Sequence, residues 1–281
     1  MKSKIIADSC CDLNTELKEN LKVNLVPLTI EVGEHTLRDD ENLDTMELVR
    51  LMKNSPKAPK TACPSPGDYM KRFEDGENIF VVTLSSALSG SYNSAMLAKK
   101  MFFDHLEDKK NKFIHIFDSL SASIAQTLIS IKLHELIEAN IENYIIVDKV
   151  NHYIKEMKTF FILESLDNLV KAGRLSKIKG KIASTLNIKP IMGEDGRGNI
   201  REVEKIRGSK KAFRRLAEII GEQEGKFEEK IIGIAHCNAL EKAKELKSEI
   251  LKRYNFKDII IVETAGISTV YANDGGVIIA F

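Results

Sequence analysis

Between residues 84 and 95 the chain reads Leu84-Ser85-Ser86-Ala87-Leu88-Ser89-Gly90-Ser91-Tyr92-Asn93-Ser94-Ala95, five serines and an asparagine within twelve positions. A hydroxyl can donate one hydrogen bond to an anionic oxygen while accepting another from backbone. Several together can replace much of the water around a carboxylate or phosphate without any formal positive charge. A single serine in such a place reads as a turn residue or a helix N-cap. One helix needs only one cap, so the cluster reads as a binding loop. Other segments of the same chemistry are Asp8-Ser9-Cys10-Cys11-Asp12-Leu13, Asp118-Ser119-Leu120-Ser121-Ala122-Ser123, and Thr61-Ala62-Cys63-Pro64-Ser65-Pro66. The prolines hold the last of these in an extended or turn-like path.

The elements around these segments explain why they converge. Residues 79–82 are a short β-branched and aromatic run, and 94–103 carry apolar residues at helical spacing, so the serines occupy a strand-to-helix turn. Residues 4–7 form a first strand, 25–32 a second, and 113–117 a further one that leads through a polar turn into a helix over 124–139. Asp44 is placed to cap a helix over 45–53. Recurring strand, polar turn and helix predict a parallel sheet with helices on its faces. In such a sheet these turns lie at the carboxyl ends of the strands, where ligands bind and helix starts offer free N–H groups. No GxGxxG follows the first strand, so a dinucleotide has no fingerprint here.

The pattern changes in the second half. A helix over 150–158, a strand over 159–163 and a helix over 166–171 closed by Gly173 come first. A hairpin over 186–206 then turns around Gly193-Glu194-Asp195-Gly196-Arg197-Gly198. Helices over 210–224 and 240–254 alternate with strands over 231–235, 259–263 and 277–281. The expected fold class is α/β: an N-terminal Rossmann-like parallel-sheet domain over 1–153 and a C-terminal α/β domain with a mixed sheet over 154–281. The ligand is expected between them.

Composition removes several function classes. Across 281 residues, 42 basic side chains balance 41 acidic ones, so the chain has no net field to attract nucleic acid. No apolar run approaches the ~18 residues of a membrane span, and Met1-Lys2-Ser3-Lys4 leads into a strand rather than a signal-peptide core. The reading is therefore cytoplasmic, without stable membrane insertion. Cys10, Cys11, Cys63 and Cys237 lack CxxC spacing and the histidines lack an HExxH pattern, so neither metal nor cofactor is expected.

Asp8-Ser9 with Asp12-Leu13, Thr61 to Pro66, Leu84 to Ala95, Asp118-Ser119, Leu166 to Arg174, and Leu186-Asn187-Ile188-Lys189-Pro190 with Asp195-Gly196 resemble, in order, the motifs of the DegV family. The resemblance spans nearly the whole chain. It implies a fatty-acid-binding protein of the FakB kind, a carrier that presents a long-chain fatty acid to a partner fatty acid kinase for acyl-phosphate formation. By motif position, Thr61 and Ser89 would bind the carboxylate, with Ser85, Ser86 and Gly90 shaping the loop around it. Phe160, Ile162, Leu166, Leu186 and Ile188 would line the acyl tunnel, and Arg174 and Arg207 would contact the kinase. Many members carry a histidine near the C-terminus that joins the carboxylate network. Here Ala272 stands at its place, leaving Tyr271 or Asn273 to supply a hydrogen bond, or a head group held differently. Two rival readings stand beside this one: a serine-dependent hydrolase using Ser85, Ser86 or Ser89 with His236 as base, and a binder of a different amphiphilic molecule.

Overall fold

The computed structural model of the chain describes residues 3–105, 112–175 and 187–281. Its strands, in chain order, are β1 (Ser3–Asp8), β2 (Asn24–Val26), β3 (Thr29–Val32), β4 (His35–Arg38), β5 (Lys60–Ala62), β6 (Asn78–Thr83), β7 (Phe113–Asp118), β8 (Thr159–Ile162), β9 (Ile188–Glu194), β10 (Ile200–Arg207), β11 (Ile231–His236), β12 (Asp258–Glu263) and β13 (Val277–Ala280). The helices are α1 (Thr15–Leu21), α2 (Thr45–Asn54), α3 (Pro66–Phe73), α4 (Ser91–His105), α5 (Ile124–Glu138), α6 (Asn143–Glu156), α7 (Asp167–Lys171), α8 (Ser209–Ile220), α9 (Leu240–Leu251) and α10 (Gly266–Ala272).

The fold is α/β. A parallel sheet runs in the order β2-β1-β6-β7, and a mixed sheet of six strands runs β10-β9-β8-β13-β11-β12. β6 is buried along its whole length, as a strand covered by helices on both faces must be. Ile79 and Val81 pack with Tyr69 and Phe73 of α3, while Phe80 and Val82 face α5. The chain leaves β1 toward β2 on one side and reaches β6 on the other. A crevice therefore opens at the carboxyl ends of β1 and β6, the kind of switch point where ligands bind.

One expected strand divides. Residues 25–32 break after Val26, where Pro27 has no N–H to continue the ladder, and β3 pairs instead with β4 and β5 in a separate antiparallel sheet. That small sheet takes Thr61 out of the proline-rich segment and sets it beside Ile30. Ser65 and Asp68 then start α3 with a reciprocal capping box and a proline in its first turn. α6 runs through residues 153 and 154, and the chain enters the second sheet just beyond it, where Lys158 exchanges backbone hydrogen bonds with Phe281.

α5 joins the two sheets. It packs against β1 and β6 on one side and β11 and β13 on the other, so that Ile5, Phe80, Leu128, Ala235, Val262 and Ala280 share one buried cluster. The approach is close enough to require glycine on β11. A Cβ at Gly233 would lie 2.2 Å from Cγ1 of Ile124. Gly233→Ala should therefore overpack the seam and cost about 1–3 kcal/mol, read as a lower urea midpoint with an unchanged slope. An unaltered midpoint would contradict this packing.

Candidate functional site

A cavity of about 350 Å³ opens where the sequence crowds its hydroxyls. Cys10 and Leu84, which follow β1 and β6, form part of its wall; β5 supplies Thr61, the loop before α4 supplies Leu88, Ser89 and Gly90, and α10 supplies Ile267, Ser268 and Tyr271. The mixed sheet closes it with Thr159, Phe161 and Ile278. Most of this lining is apolar, with a few convergent polar groups, the composition expected of a small-molecule site.

The polar groups are specifically paired. Thr61 Oγ1 lies 2.7 Å from the Tyr271 hydroxyl. Two hydroxyls hold two protons and their mutual bond uses one, which leaves the other to donate to a ligand oxygen. Ser89 Oγ accepts the Ser91 N–H at 3.2 Å and lies 3.0 Å from Ser91 Oγ. Its proton can rotate from Ser91 to a ligand. Arg174 lines the same cavity. Its guanidinium donates to the carbonyls of Leu88 at 3.1 Å and Ala172 at 2.5 Å, and among the described residues it forms no ion pair.

The other predicted residues take different places. Ser85 is fully buried and donates to the Gly198 carbonyl at 2.9 Å, latching the β9–β10 turn onto the serine loop. The fit depends on glycine, since a Cβ at Gly198 would lie 2.2 Å from Ser85 Oγ. Ser86 is exposed, its N–H donating to Asp118. Gly90 lines the cavity with its bare backbone against Cys63. On β8 the alternation of a strand decides the lining: Thr159, Phe161 and Leu163 face the cavity, while Phe160 and Ile162 face α8 in the core on the other side. Leu166 packs behind the wall with Phe161, Leu163 and Leu169. Ile188 pairs with Arg207 at the open end of the hairpin, roughly 20 Å along β10 from its turn at the rise of a strand; Arg207 is exposed there. Leu186 lies outside the described residues.

Of the two candidates to replace the histidine, Tyr271 is the one in the cavity. Asn273 donates to the Ser165 carbonyl at 3.2 Å and accepts from Asn168 at 3.0 Å. Ala272 contributes only a methyl group to the lining. His236 is not brought to the serines either: its Nδ1 accepts the Ala239 N–H at 3.3 Å beside α9, and burial lowers its pKa. Cys10 also lines the cavity with a thiol that burial holds well above its usual pKa, and Cys11 points away toward Thr127 and Ser130. Among the described residues no cluster of side chains could hold a metal ion, and no helix is long and apolar enough to cross a membrane.

Tyr271 is held in place from a distance. The residue before α10, Ala265, provides no side-chain cap; Asp39 accepts instead from Gly266 N at 2.7 Å and Ile267 N at 3.0 Å, and Asp12 from Ala265 N at 2.7 Å. Asp8 similarly ties the ends of β1 and β6, accepting from Leu84 N at 2.7 Å and from Gln126 at 3.0 Å. Burial dominates the ionisation of all three. It raises Asp8 to about 6 and Asp12 to about 7 against the hydrogen bonds that favour their charged forms, and it raises Asp39 as well.

The sequence profile described as "Uncharacterised protein, DegV family" matches residues 2–281. A DegV domain-containing protein of Streptococcus pyogenes serotype M1 is 35% identical over 280 residues, covering 99% of this chain and 98% of that protein. A DegV-family crystal structure from Ruminococcus gnavus, refined with vaccenic acid, superposes with a TM-score of 0.95 at 43% identity, covering 99% of each chain. The Streptococcus pneumoniae Fatty Acid Kinase (Fak) B3 protein, loaded with linoleic acid, superposes with a TM-score of 0.91 at 35% identity, covering 100% of this chain and 99% of that one.

The Asp12 carboxyl makes a prediction about pH. With a folded-state pKa of about 7 against roughly 3.9 when unfolded, it keeps its proton in the native protein after the unfolded chain has lost it. Its contribution is thus fully present below about pH 4, declines as pH rises toward 7, and levels off above that. Asp12→Asn, which mimics the neutral acid, should gain on the wild type across that interval by an amount on the order of a few kcal/mol. Urea unfolding of both proteins from pH 4 to pH 8 measures it, and a stability difference independent of pH would contradict it.

Proposed function

This chain belongs to the DegV family, and on that premise we propose that it binds a long-chain fatty acid, buries the acyl chain in the cavity and presents the carboxylate to a partner fatty acid kinase. It acts as a carrier, and the chemistry belongs to the kinase. The observation that carries this reading is the Thr61–Tyr271 hydroxyl pair, with Ser89 lining the same largely apolar cavity. The lipids held by the two neighbours, vaccenic and linoleic acid, are of the class such a cavity suits.

Each methylene taken out of water contributes about 0.8 kcal/mol, so ten of them contribute about 8 kcal/mol before the entropy of binding is deducted. The carboxylate opposes burial, because its water must be replaced. Thr61, Tyr271 and Ser89 provide that replacement with neutral donors. Neutral donors keep the head group from being locked in an ion pair, so the kinase can still reach it. Arg174 at the cavity wall adds a positive charge for a phosphate forming on the head group, and with the exposed Arg207 it belongs to the surface offered to the kinase.

Thr61→Val with Tyr271→Phe removes both hydroxyls and keeps the shape. Hydrogen bonds to a charged group are worth about 1.5–3 kcal/mol each, so affinity for oleic acid should fall at least tenfold, measured by titration of the delipidated protein. Equal affinity would remove the carboxylate from this place. Arg174→Ala should leave oleic acid bound while slowing acyl-phosphate formation in a reconstituted kinase assay; an unchanged rate would separate Arg174 from that step.

A further inference from the structure

A second polar cluster in the cavity is not used by the head group. Ser121, in the loop after β7, and Thr159, at the start of β8, pair through their hydroxyls at 2.8 Å. They are 8% and 7% exposed, and both line the cavity. The antiparallel register Phe160↔Gly193 and Phe161↔Met192 places Glu194 opposite Thr159, where facing Cβ atoms lie about 4.5–5.5 Å apart. Glu194 lines the cavity too, beside the apolar Leu120, Phe161 and Ile200.

A proton count shows what this cluster can accept. The Ser121–Thr159 bond uses one of two hydroxyl protons, and among the described residues the other has no acceptor. Glu194 receives the Gly196 N–H on one carboxylate oxygen, which leaves acceptor capacity on the other. The cluster therefore offers a hydroxyl donor and, across the β8–β9 register, a carboxylate acceptor. A methylene there would leave a buried donor unanswered, and a second carboxylate would face the charge of Glu194. A neutral hydroxyl satisfies both groups, its oxygen accepting from the Ser121–Thr159 pair and its proton donated to Glu194.

We propose that the chain selects a long-chain fatty acid bearing a hydroxyl on its acyl chain, with the substituent held by Ser121, Thr159 and Glu194 while the carboxylate stays at Thr61 and Tyr271. This rests on the fatty-acid reading above and names the substrate class of the same site. The position of the hydroxyl follows from the separation of the two hydroxyl pairs: Thr61 and Tyr271 come from β5 and α10, Ser121 and Thr159 from the loop after β7 and the start of β8, and neither pair bonds to the other. The hydroxyl is thus in mid-chain, well removed from the carboxylate.

The test is calorimetric titration of the delipidated full chain with stearic, 2-hydroxystearic, 10-hydroxystearic and 12-hydroxystearic acids. A mid-chain hydroxystearate should bind at least fivefold more tightly than stearate, and 2-hydroxystearate should show no such gain. Thr159→Val and Ser121→Ala should each bring the affinity for the mid-chain hydroxystearates down to that for stearate, with far-UV circular dichroism reporting that the variants are folded. Stearate binding as tightly as both mid-chain acids, or a preference that survives in both variants, overturns the inference and leaves the fatty-acid reading intact. Failure of all four acids to bind the wild type overturns both.

Discussion

The cavity depends on two buried carboxylates that hold the start of a helix belonging to the other end of the chain. A helix leaves its first N–H groups without partners, and α10, at seven residues, is too short to persist by itself. Asp39 and Asp12 receive the N–H groups of Gly266, Ile267 and Ala265. Burying them is costly, as their raised pKa values record. What is gained is the position of α10, which sets Tyr271 against Thr61 and lays Ile267 and Ser268 into the cavity wall.

The remaining links across the site use the same kind of chemistry. Ser85 joins the serine loop to the Gly198 carbonyl, and Ser121 joins the loop after β7 to Thr159 on β8. Asp8 draws the ends of β1 and β6 together from beneath. The walls thus come from the parallel sheet, the small β3–β5 sheet, the mixed sheet and α10, each connected to another by a hydrogen bond from a short side chain. Short side chains give up little conformational freedom when fixed, which suits a site that must remain formed while a flexible acyl chain enters or leaves it.

The strand, polar turn and helix of the first half could be read in the sequence because each apolar run is bounded by loop chemistry. The hydroxyl loops at Thr61 and Ser89 do reach one cavity. Two things were not legible. In Thr159-Phe160-Phe161-Ile162-Leu163 every residue is apolar enough to be buried, so the run does not say which side chains face a ligand and which face a core. Only pairing with β9 and β13 assigns Phe161 to the cavity and Phe160 to the layer beneath α8. The roles of Asp12 and Asp39 were equally hidden. Each looks like a local turn or cap residue, yet each serves a helix more than 200 positions away, and no local pattern carries such a pairing. Tyr271 was visible as a substitute for the absent histidine, but its choice over Asn273 required the place and direction of α10.

The most direct test of this account is a crystal structure of the protein loaded with oleic acid. A carboxylate oxygen is expected within hydrogen-bond distance of both Thr61 Oγ1 and the Tyr271 hydroxyl, with the acyl chain running along Phe161 and Ile278. A carboxylate found at Ser121 and Thr159, or an acid bound outside the cavity, would contradict it.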